Sequence, residues 1–407
     1  MKILLINKFY FLKGGAEGHY FDLKDLLEKN GHQVIPFAMD HPRNLNTPYK
    51  KYFVANMETT KPKINLGIFR EAIRIIWNLE AKRKIKKLID QEKPDIAHIH
   101  NIYHQISPSI LKVLREQGIP VVMTVHDFKL ICPNYCLLAN SNICERCQGG
   151  KYYNCFLQKC HKNSRLKSLV VTAEMYIHKL MKVYEKNIDL FIVPSKFFKD
   201  KLVAFGQSDN QMSVLPNFIE AEKFKPSGQY DDYAVYLGRL SVEKGVYDLL
   251  RAWVKVNPNL KLKVVGAGPE EEKLIQLRDK LQLDNVEFTG FKTGQDLANI
   301  MRNCLFTVVP SICYENCPLS LLESMAYGKA VIGSRLGGIP EIINHKYGEL
   351  FKERDPEDIS QQINYLFQNQ DYVIQLGQAA RQMVEQKFDP QKYYQELIKI
   401  YEKVSQE

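Results

Sequence analysis

Two glutamates in the second half of the chain have a spacing that suits a hydroxyl-rich, phosphorylated ligand. Glu315 lies in a loop after a predicted strand, and Glu323 lies within the first two turns of a helix that begins near Pro318. The open amides of Leu319 and Ser320 at this helix start, together with the positive end of the helix dipole, suit a phosphate. Glu323 can accept hydrogen bonds from the two hydroxyls of a ribose, as acidic residues do in dinucleotide sites. Taken alone, the two glutamates fit a favourable dipole interaction equally well.

Two cations lie in one loop between a predicted strand and a predicted helix. The loop runs from Gly238 to Gly245 and contains Arg239 and Lys244. When a nucleoside diphosphate leaves, negative charge develops on its oxygens, and fixed cations stabilise that charge in the transition state. Arginine can do so through two parallel hydrogen bonds. A single Lys or Arg is more often an ordinary surface cation, but this pair in this loop indicates an anion site.

The first half of the chain offers two weaker signals, each shortly after a predicted strand. Lys13-Gly14-Gly15 opens a helix, and glycines let backbone amides approach a phosphate. The motif is not a G-x-G-x-x-G fingerprint, which argues against a dehydrogenase, and a plain turn explains a glycine pair more often. His126 follows the strand predicted at 120–125, where it would face a cleft. A lone histidine in such a place is often a structural hydrogen-bonding residue.

Strands alternate with helices along the chain, and this alternation positions the residues above. The predicted strands are 3–7, 33–37, 96–100, 120–125 and 190–194, followed by 213–216, 234–237, 262–265, 286–289, 306–310, 330–333 and 349–351. The pattern predicts parallel sheets with helices on both faces. Two sheets of about six strands are favoured over one of about twelve. Ligands of such sheets bind outside the carboxyl ends of the strands.

We therefore predict an α/β protein with two Rossmann-like, doubly wound parallel-sheet domains that face each other across a cleft. The predicted N-terminal domain spans 1–212 and contains a cysteine-rich insertion at about 130–165. The predicted C-terminal domain spans 213–388. The predicted last helix, at 389–407, packs back on the N-terminal domain.

The cysteine-rich insertion predicts either a metal site or a group of reduced thiols. Six of the nine cysteines lie in it, and no secretion signal accompanies them, so a disulfide framework is not expected. Four thiolates can bind zinc tetrahedrally, and the candidate ligands are Cys144, Cys147, Cys155 and Cys160. Such a zinc ion would be structural and would shape the acceptor region. Reduced thiols or a redox-labile pair are the alternatives.

Composition and charge bear on the compartment and the partners. The formal net charge is +10, yet the usual signatures of nucleic-acid binding are absent from the sequence. No apolar run is long enough for a transmembrane helix, and the apolar run after Lys2 is too short for a signal peptide, so we predict a cytoplasmic protein. The segment 61–90 reads as a basic amphipathic helix, which suits the anionic inner face of a membrane. Packing of this helix on its own domain fits the same pattern equally well.

Taken together, these motifs resemble family 4 glycosyltransferases, the large retaining family with two Rossmann-like domains, here of the bacterial polysaccharide-biosynthesis type. The resemblance covers nearly the whole chain. Three features carry it in order: a Gly-Arg loop with Lys five residues after Arg239, the pair Glu315 and Glu323, and Gly-Gly-x-x-Glu from Gly337 to Glu341. One departure is Asn-Cys-Pro after the first glutamate, where many members carry Gly-Phe-Gly.

The resemblance implies a role for each residue of the C-terminal motifs. Arg239 and Lys244 would bind the donor diphosphate, and Glu323 would bind the ribose. Glu315 would contact the transferred sugar, together with backbone amides around Leu319. The resemblance also implies retention of anomeric configuration and a donor site that needs no metal ion, in agreement with the absence of an Asp-x-Asp motif from the sequence.

Further roles are implied for residues that face the cleft from other loops. Gly15 would bring its amide to the diphosphate, and His126 would contact the donor sugar near its 6-hydroxyl. The loop at Phe291 would hold the base through backbone groups. The expected partners are a nucleotide diphosphate sugar and a glycan or lipid-linked acceptor.

Three other interpretations stay open at this point. A transferase that uses a small soluble acceptor would share the donor site and differ only on the N-terminal side. A non-catalytic nucleotide- or metal-binding protein can keep the same fold, although the complete set of motif residues argues against it. A two-domain epimerase or phosphorylase is disfavoured by the spaced glutamate pair.

Overall fold

The computed structural model describes residues 1–56, 71 and 73–406, and a six-stranded parallel sheet organises the first half of the chain. The strands of this half are β1 (Lys2–Ile6), β2 (Gln33–Phe37), β3 (Ile96–Ile99), β4 (Val121–Thr124), β5 (Leu138–Ala139), β6 (Asn142–Ile143), β7 (Leu190–Val193) and β8 (Met212–Val214). The sheet order is β2-β1-β3-β4-β7-β8, with parallel pairing throughout. β5 and β6 form a separate antiparallel pair.

A second six-stranded parallel sheet organises the other half. Its strands are β9 (Tyr233–Leu237), β10 (Lys261–Val265), β11 (Val286–Gly290), β12 (Phe306–Val309), β13 (Ala330–Ser334) and β14 (Gly348–Phe351). The order is β11-β10-β9-β12-β13-β14, so the first three strands lie in reverse order, whereas in the first sheet only β1 and β2 are reversed.

Helices connect the strands and cover the sheets. Those of the first half are α1 (Gly15–Lys29), α2 (Leu79–Glu92), α3 (Ser109–Glu116), α4 (Tyr153–Leu157), α5 (Arg165–Met181) and α6 (Lys196–Ala204). Those of the second half are α7 (Val246–Trp253), α8 (Glu271–Lys280), α9 (Gly294–Asn303), α10 (Leu319–Ala326), α11 (Ile339–Ile342), α12 (Pro356–Gln368), α13 (Gln370–Lys387) and α14 (Pro390–Gln406).

The first strand shows why these strands are apolar at consecutive positions. In β1, every residue after Lys2 is buried. Alternate side chains point to opposite faces of a strand, so Leu4 and Ile6 join one core while Ile3 and Leu5 join another. Burial on both faces is typical of parallel sheets covered by helices on each side. The predicted fold class is confirmed.

One predicted strand belongs to the other sheet. The strand predicted at 213–216 belongs by sequence order to the second series, but β8 pairs with β7, where Ser213 lies opposite Ile192. β8 therefore completes the first sheet, and the second sheet begins at Tyr233. The apolar pattern identifies a strand but not its partner, which tertiary packing selects. The domain limits at 212 and 388 stay predictions.

The last helix returns to the first sheet. Tyr393, Leu397 and Tyr401 of α14 are buried in the same core as Leu5 of β1. The hydroxyl of Tyr401 lies 2.6 Å from Nδ1 of His98 in β3. The end of the chain is thus anchored on the N-terminal sheet, as the sequence predicted.

The basic segment predicted at 61–90 falls partly outside the described residues, since 57–70 and 72 are not described. Its described helix, α2, packs on the first core through Ala81, Ile85, Leu88 and Ile89. This part of the segment therefore packs on its own domain. Within the described residues, no helix has the length and apolar character required to cross a membrane.

Candidate active site

Two helix N-termini, one from each half of the chain, face each other across the cleft. A methyl group placed on Gly15, the first residue of α1, would lie 3.9 Å from Cδ1 of Leu319, the first residue of α10, and one on Gly18 would lie 3.4 Å from the same atom. The preceding residues, Gly14 and Pro318, provide no side-chain cap. The first amides of both helices are therefore left for another partner, and the positive ends of both dipoles meet. Such an arrangement suits a diphosphate.

Lys244 and Glu315 come from separate motifs and form an ion pair in the structure. Lys244 Nζ lies 2.6 Å from Glu315 Oε1, and the hydroxyl of Ser311 donates to the same oxygen at 2.7 Å. Burial acts to raise the pKa of Glu315, but the ammonium and the two hydrogen bonds bring it below its ordinary value. Burial acts to lower the pKa of Lys244, but attraction to the Glu315 carboxylate outweighs burial. The pKa of Lys244 is therefore raised above its ordinary value. Both groups are therefore charged at neutral pH.

A glycine after Lys244 explains how the two motifs come together. Gly245 has a φ of 71°, and a Cβ at this position would lie 1.8 Å from the carbonyl oxygen of Pro310. A side chain has no room there, and the left-handed conformation favours glycine. The Lys244 loop can consequently pack against the end of β12, directly before the loop that carries Glu315.

Arg239 adds a second cation from the same loop, and further cations lie nearby. Its side chain is exposed at the carboxyl end of β9. Across the cleft, burial lowers the pKa of Lys13, and the nearby charges of Arg239, Arg43 and Lys162 lower it further against the opposing effect of Glu17. Cations converging from two domains concentrate positive potential in the cleft.

Glu323 lies in the second turn of α10, with Asp22 of α1 nearby. Burial first, and the carboxylate of Asp22 second, raise the pKa of Glu323 to about 7. Burial also raises the pKa of Asp22 to about 6. A ligand hydroxyl bound between Glu323 and Asp22 would donate a hydrogen bond there. This bond would offset part of the free-energy cost of keeping two carboxylates in a poorly hydrated place. Asp22 is not identifiable from the sequence, because a carboxylate in the middle of an amphipathic helix carries no local signal.

His126 lies two residues after the end of β4, close to the predicted strand end, and belongs to a row of stacked rings. Its Nε2 lies 2.8 Å from Nδ1 of His100, and the two ring centroids are 5.0 Å apart. His98 stacks on His100 in turn, at 4.8 Å. Burial, with smaller contributions from His19 and His98, places the pKa of His126 well below its ordinary value. The ring is neutral at physiological pH and can hydrogen-bond a hydroxyl without carrying charge.

Asn316 links the two halves of the site. Its Nδ2 donates to the carbonyl oxygen of His126 at 2.8 Å. Its Oδ1 is buried and has no hydrogen-bond partner within the described part of the chain. An unpaired buried acceptor is unfavourable, so a ligand hydroxyl would stabilise this side chain. Sequence analysis noted Asn316 only as a departure from the family pattern.

The remaining predicted donor residues lie at the same edge of the second sheet. Phe291 follows β11 directly, and its side chain is 74% exposed. Ser320 is the second residue of α10 and is half-buried. The structure therefore gathers the predicted donor residues outside the carboxyl ends of the strands, where ligands of this fold class bind. Their individual roles stay predictions.

The cysteines of the insertion lie close together as free thiols. A hydrogen bond from Cys160 lowers the pKa of Cys155 to about 7, against the effect of burial. The same hydrogen bond with Cys155, and then burial, raise the pKa of Cys160. Among residues that the structure describes, no group of three or more His, Cys, Asp or Glu side chains is arranged to hold a metal ion. The zinc site stays a prediction without support from the structure.

Two family descriptions match the chain, one for each half. Residues 13–223 match Glycosyltransferase Family 4, and residues 218–383 match Glycosyl transferases group 1. The boundary between the matches falls at residues 218–223, within the connection between the two sheets.

Individual relatives and solved structures agree with these matches. The chain is 24% identical to the N-acetyl-alpha-D-glucosaminyl L-malate synthase of Bacillus anthracis, over 98% of this chain and 97% of the relative. It is 26% identical to the amylovoran biosynthesis glycosyltransferase AmsK of Erwinia amylovora, over 53% of this chain and 57% of the relative. The structure of Anabaena HepE in complex with UDP and glucose superposes with a TM-score of 0.69 at 17% identity, covering 99% of this chain and 100% of HepE. HepE in complex with UDP-glucose gives a TM-score of 0.70.

Proposed function

The chain belongs to glycosyltransferase family 4, and from this premise we propose that it transfers a sugar from a nucleotide diphosphate sugar to a glycan or lipid-linked acceptor. The proposed transfer retains the anomeric configuration and uses no metal ion for donor binding. Its proposed setting is cell-surface polysaccharide synthesis, on the cytoplasmic side of the membrane. The similarity to a transferase of amylovoran biosynthesis supports this setting.

The meeting of two uncapped helix N-termini beside paired cations is the observation that carries the donor assignment. Gly15 and Leu319 offer backbone amides from opposite walls, and Lys244 and Arg239 offer fixed positive charge. Charge that develops on a departing diphosphate is stabilised by such preorganised groups without reorganisation at the moment of reaction. The ion pair with Glu315 offsets the effect of burial on the pKa of Lys244, so this ammonium is protonated before the donor binds.

Neighbouring residues bind the other parts of the donor, namely the ribose, the base and the transferred sugar. Glu323 accepts hydrogen bonds from the ribose hydroxyls, and the loop at Phe291 holds the base through backbone groups. The neutral ring of His126 and the unpaired Oδ1 of Asn316 bind hydroxyls of the transferred sugar. The binding of UDP-glucose by HepE, which shares the fold, supports this class of donor.

The proposed chemistry is an attack by the acceptor hydroxyl on the same face that the diphosphate leaves. The bond from the anomeric carbon to the phosphate oxygen breaks, the bond to the acceptor oxygen forms, and the acceptor proton passes to the leaving phosphate oxygen. The amides and cations that surround the diphosphate stabilise its developing charge. Nuclear magnetic resonance of the product tests this proposal, since an inverted anomeric centre would refute it.

The acceptor side is formed by the first half of the chain. A cavity of about 530 Å³ opens beside the loop after β1, lined by aromatic side chains such as Tyr10, Phe11 and Phe21 and by the cation of Arg43. Arg43 lies over the ring of Phe11 at 4.2 Å. The guanidinium of Arg43 suits a carboxylate or phosphate group on a sugar or lipid acceptor. The similarity to a synthase with L-malate in its name favours, as the alternative, a small soluble anionic acceptor.

Thermal shifts with UDP, GDP, ADP and their glucose conjugates, each with and without Mg²⁺, test the donor proposal. A nucleotide at about a hundred times its dissociation constant stabilises a protein by roughly 2.7 kcal/mol, which is readily measured. Lys244→Met should abolish the shift and lower kcat at least about a hundredfold. Lys261→Met is the matched control. Lys261 is an exposed lysine at the amino end of β10, whereas the proposed site lies at the carboxyl ends of the strands. If none of these nucleotides shifts the unfolding temperature, the donor proposal is refuted.

A further inference from the structure

Helix α5, next to the cysteine-rich insertion, has an apolar face turned to solvent. Its inner side is buried through residues that include Val171, Met175 and His178. Its exposed large apolar side chains are Leu166, Leu169, Tyr176, Ile177, Leu180 and Met181. Leu180 is 86% exposed. The helix is therefore apolar on two sides, and within the described residues only one of them packs on the protein.

The exposed apolar residues of α5 form a continuous surface. They recur at spacings of three and four residues, and Val170 and Ala173, both half-buried, fill the gaps between them. The surface continues onto α4, where Tyr153 and Leu157 are exposed and the amide of Tyr153 donates to the hydroxyl of Tyr176 at 3.2 Å. We call this surface the α5 stripe, defined by the exposed apolar side chains of α4 and α5.

The clustering of its exposed apolar side chains distinguishes the α5 stripe from the rest of the described surface. Eight of the twenty large apolar side chains that are exposed in the described part of the chain belong to it. The five of the second half are fewer and more dispersed, with three at or beside α7, one after β11 and one in α12: Val242, Tyr247, Val254, Phe291 and Tyr365. Single exposed apolar residues need no explanation, whereas a contiguous patch marks an interaction surface.

The exposed charged side chains of α5 itself are all positive. Arg165, Lys167 and Lys179 are exposed on α5, and Lys182 caps its end. The only carboxylate of the helix, Glu174, is buried and forms an ion pair with Lys129 at 2.7 Å. By contrast, α2 carries exposed carboxylates among its cations, such as Asp90, which pairs with Lys86 at 3.0 Å.

We propose that the α5 stripe is the surface through which this protein lies on an anionic lipid bilayer. Apolar side chains enter the boundary between headgroups and acyl chains, and the flanking cations contact anionic headgroups. The absence of exposed acid from α5 makes this surface complementary to such lipids. The inference goes beyond the proposed transfer reaction and does not depend on the identity of the donor. It also assigns membrane contact to α5 rather than to the basic helix α2, whose apolar side is buried.

The position of the stripe places the bilayer beside the acceptor side of the cleft. Lys162, three residues before α5, is one of the cations that act on Lys13 at the cleft. The ring of His161 lies 6.3 Å from that of Tyr135 in the insertion loop. A lipid-linked acceptor held in the bilayer would therefore reach the cleft from the start of α5.

Flotation of the full-length chain with vesicles tests the proposal. Vesicles of phosphatidylglycerol and phosphatidylcholine in equal amounts should carry the protein, while pure phosphatidylcholine and high salt should carry far less, since salt screens the headgroup attraction. Each leucine transferred from water into the boundary contributes about a factor of ten or more in binding. Leu169→Asp combined with Leu180→Asp should thus lower the partition coefficient at least about a hundredfold.

Two controls keep the result interpretable. Val254→Asp combined with Tyr365→Asp introduces the same two negative charges at exposed apolar positions of the second half and should bind vesicles as the unaltered chain does. Unchanged unfolding temperature in the double variant would show an intact fold. An unchanged thermal shift with whichever nucleotide stabilises the unaltered chain would show an intact donor site, so loss of membrane binding is distinguishable from failure of the proposed function. The proposal is overturned if the unaltered chain ignores anionic vesicles, or if the double variant binds them equally well. It is also overturned if the α5 stripe proves to join two copies of the chain, seen by light scattering as a dimer that the double variant loses.

Discussion

Donor affinity should fall as the pH falls through 7, because Glu323 must be ionised to accept hydrogen bonds from the ribose hydroxyls. Burial and the carboxylate of Asp22 raise its pKa to about 7. A raised carboxyl pKa means that the folded protein holds the proton more tightly than the unfolded chain does. The resulting stability is present below the ordinary carboxyl pKa and is lost as the pH rises through 7. A donor that binds only the carboxylate form must therefore release a proton from Glu323 as it binds.

The size of the effect follows from the pKa. With a pKa of about 7, roughly three quarters of Glu323 is ionised at pH 7.5 and roughly one tenth at pH 6. The dissociation constant should rise about eightfold between these values, or about 1.2 kcal/mol. Asp22→Asn removes the like charge, lowers the pKa of Glu323 and should make the rise smaller. His126 stays neutral across this range, because its pKa lies well below the ordinary value.

Isothermal titration calorimetry with UDP-glucose measures both affinity and proton release. UDP-glucose is preferable to UDP, because its diphosphate is esterified at both ends and does not titrate in this range. Glu323→Gln should bind weakly at both pH values and lose the pH dependence, whereas Glu287→Gln, an exposed position in β11, should behave like the unaltered chain. Equal affinity at pH 7.5 and pH 6, or a pH dependence that survives Glu323→Gln, would refute the assignment of this carboxylate to the ribose.

Three further outcomes concern the scaffold and the insertion. Gly245→Ala should lower the free energy of unfolding by at least about 2 kcal/mol in urea denaturation, because its Cβ would lie 1.8 Å from the oxygen of Pro310, while Gly228→Ala, where the space is open, should have little effect. Tyr401→Phe should cost about 1 kcal/mol by calorimetry, because it removes a buried hydroxyl 2.6 Å from His98, and unchanged stability would contradict that contact. Purified protein should contain one zinc per chain and lose thermal stability with a chelator if the insertion holds the metal; zinc-free protein that is indifferent to chelator would remove the hypothesis.

The fold class and the donor loops could be predicted from the sequence because they depend on local patterns. Apolar runs that alternate with amphipathic helices indicate covered parallel sheets, and the residues after each strand lie at one edge of a sheet whatever the details of packing. Glu315, Glu323, Arg239 and Lys244 were identified in this way, and the structure brings Lys244 and Glu315 within 2.6 Å. The return of the last helix to the first sheet was likewise predicted.

The other features of the fold and of the site depend on which elements pack together in the folded chain. The local sequence pattern does not contain that information. The same apolar spacing is produced by a strand of either sheet, so the placement of β8 beside β7 required the assembled core. Asp22 and Glu323 are separated by most of the chain and interact only because α1 and α10 face each other across the cleft. Periodicity alone also could not distinguish the apolar face of α2, which is buried, from that of α5, which is exposed. Sequence thus determined the elements and the chemistry at their ends, whereas packing between distant elements decided which groups share an environment, because burial and electrostatic interaction depend on distance in space.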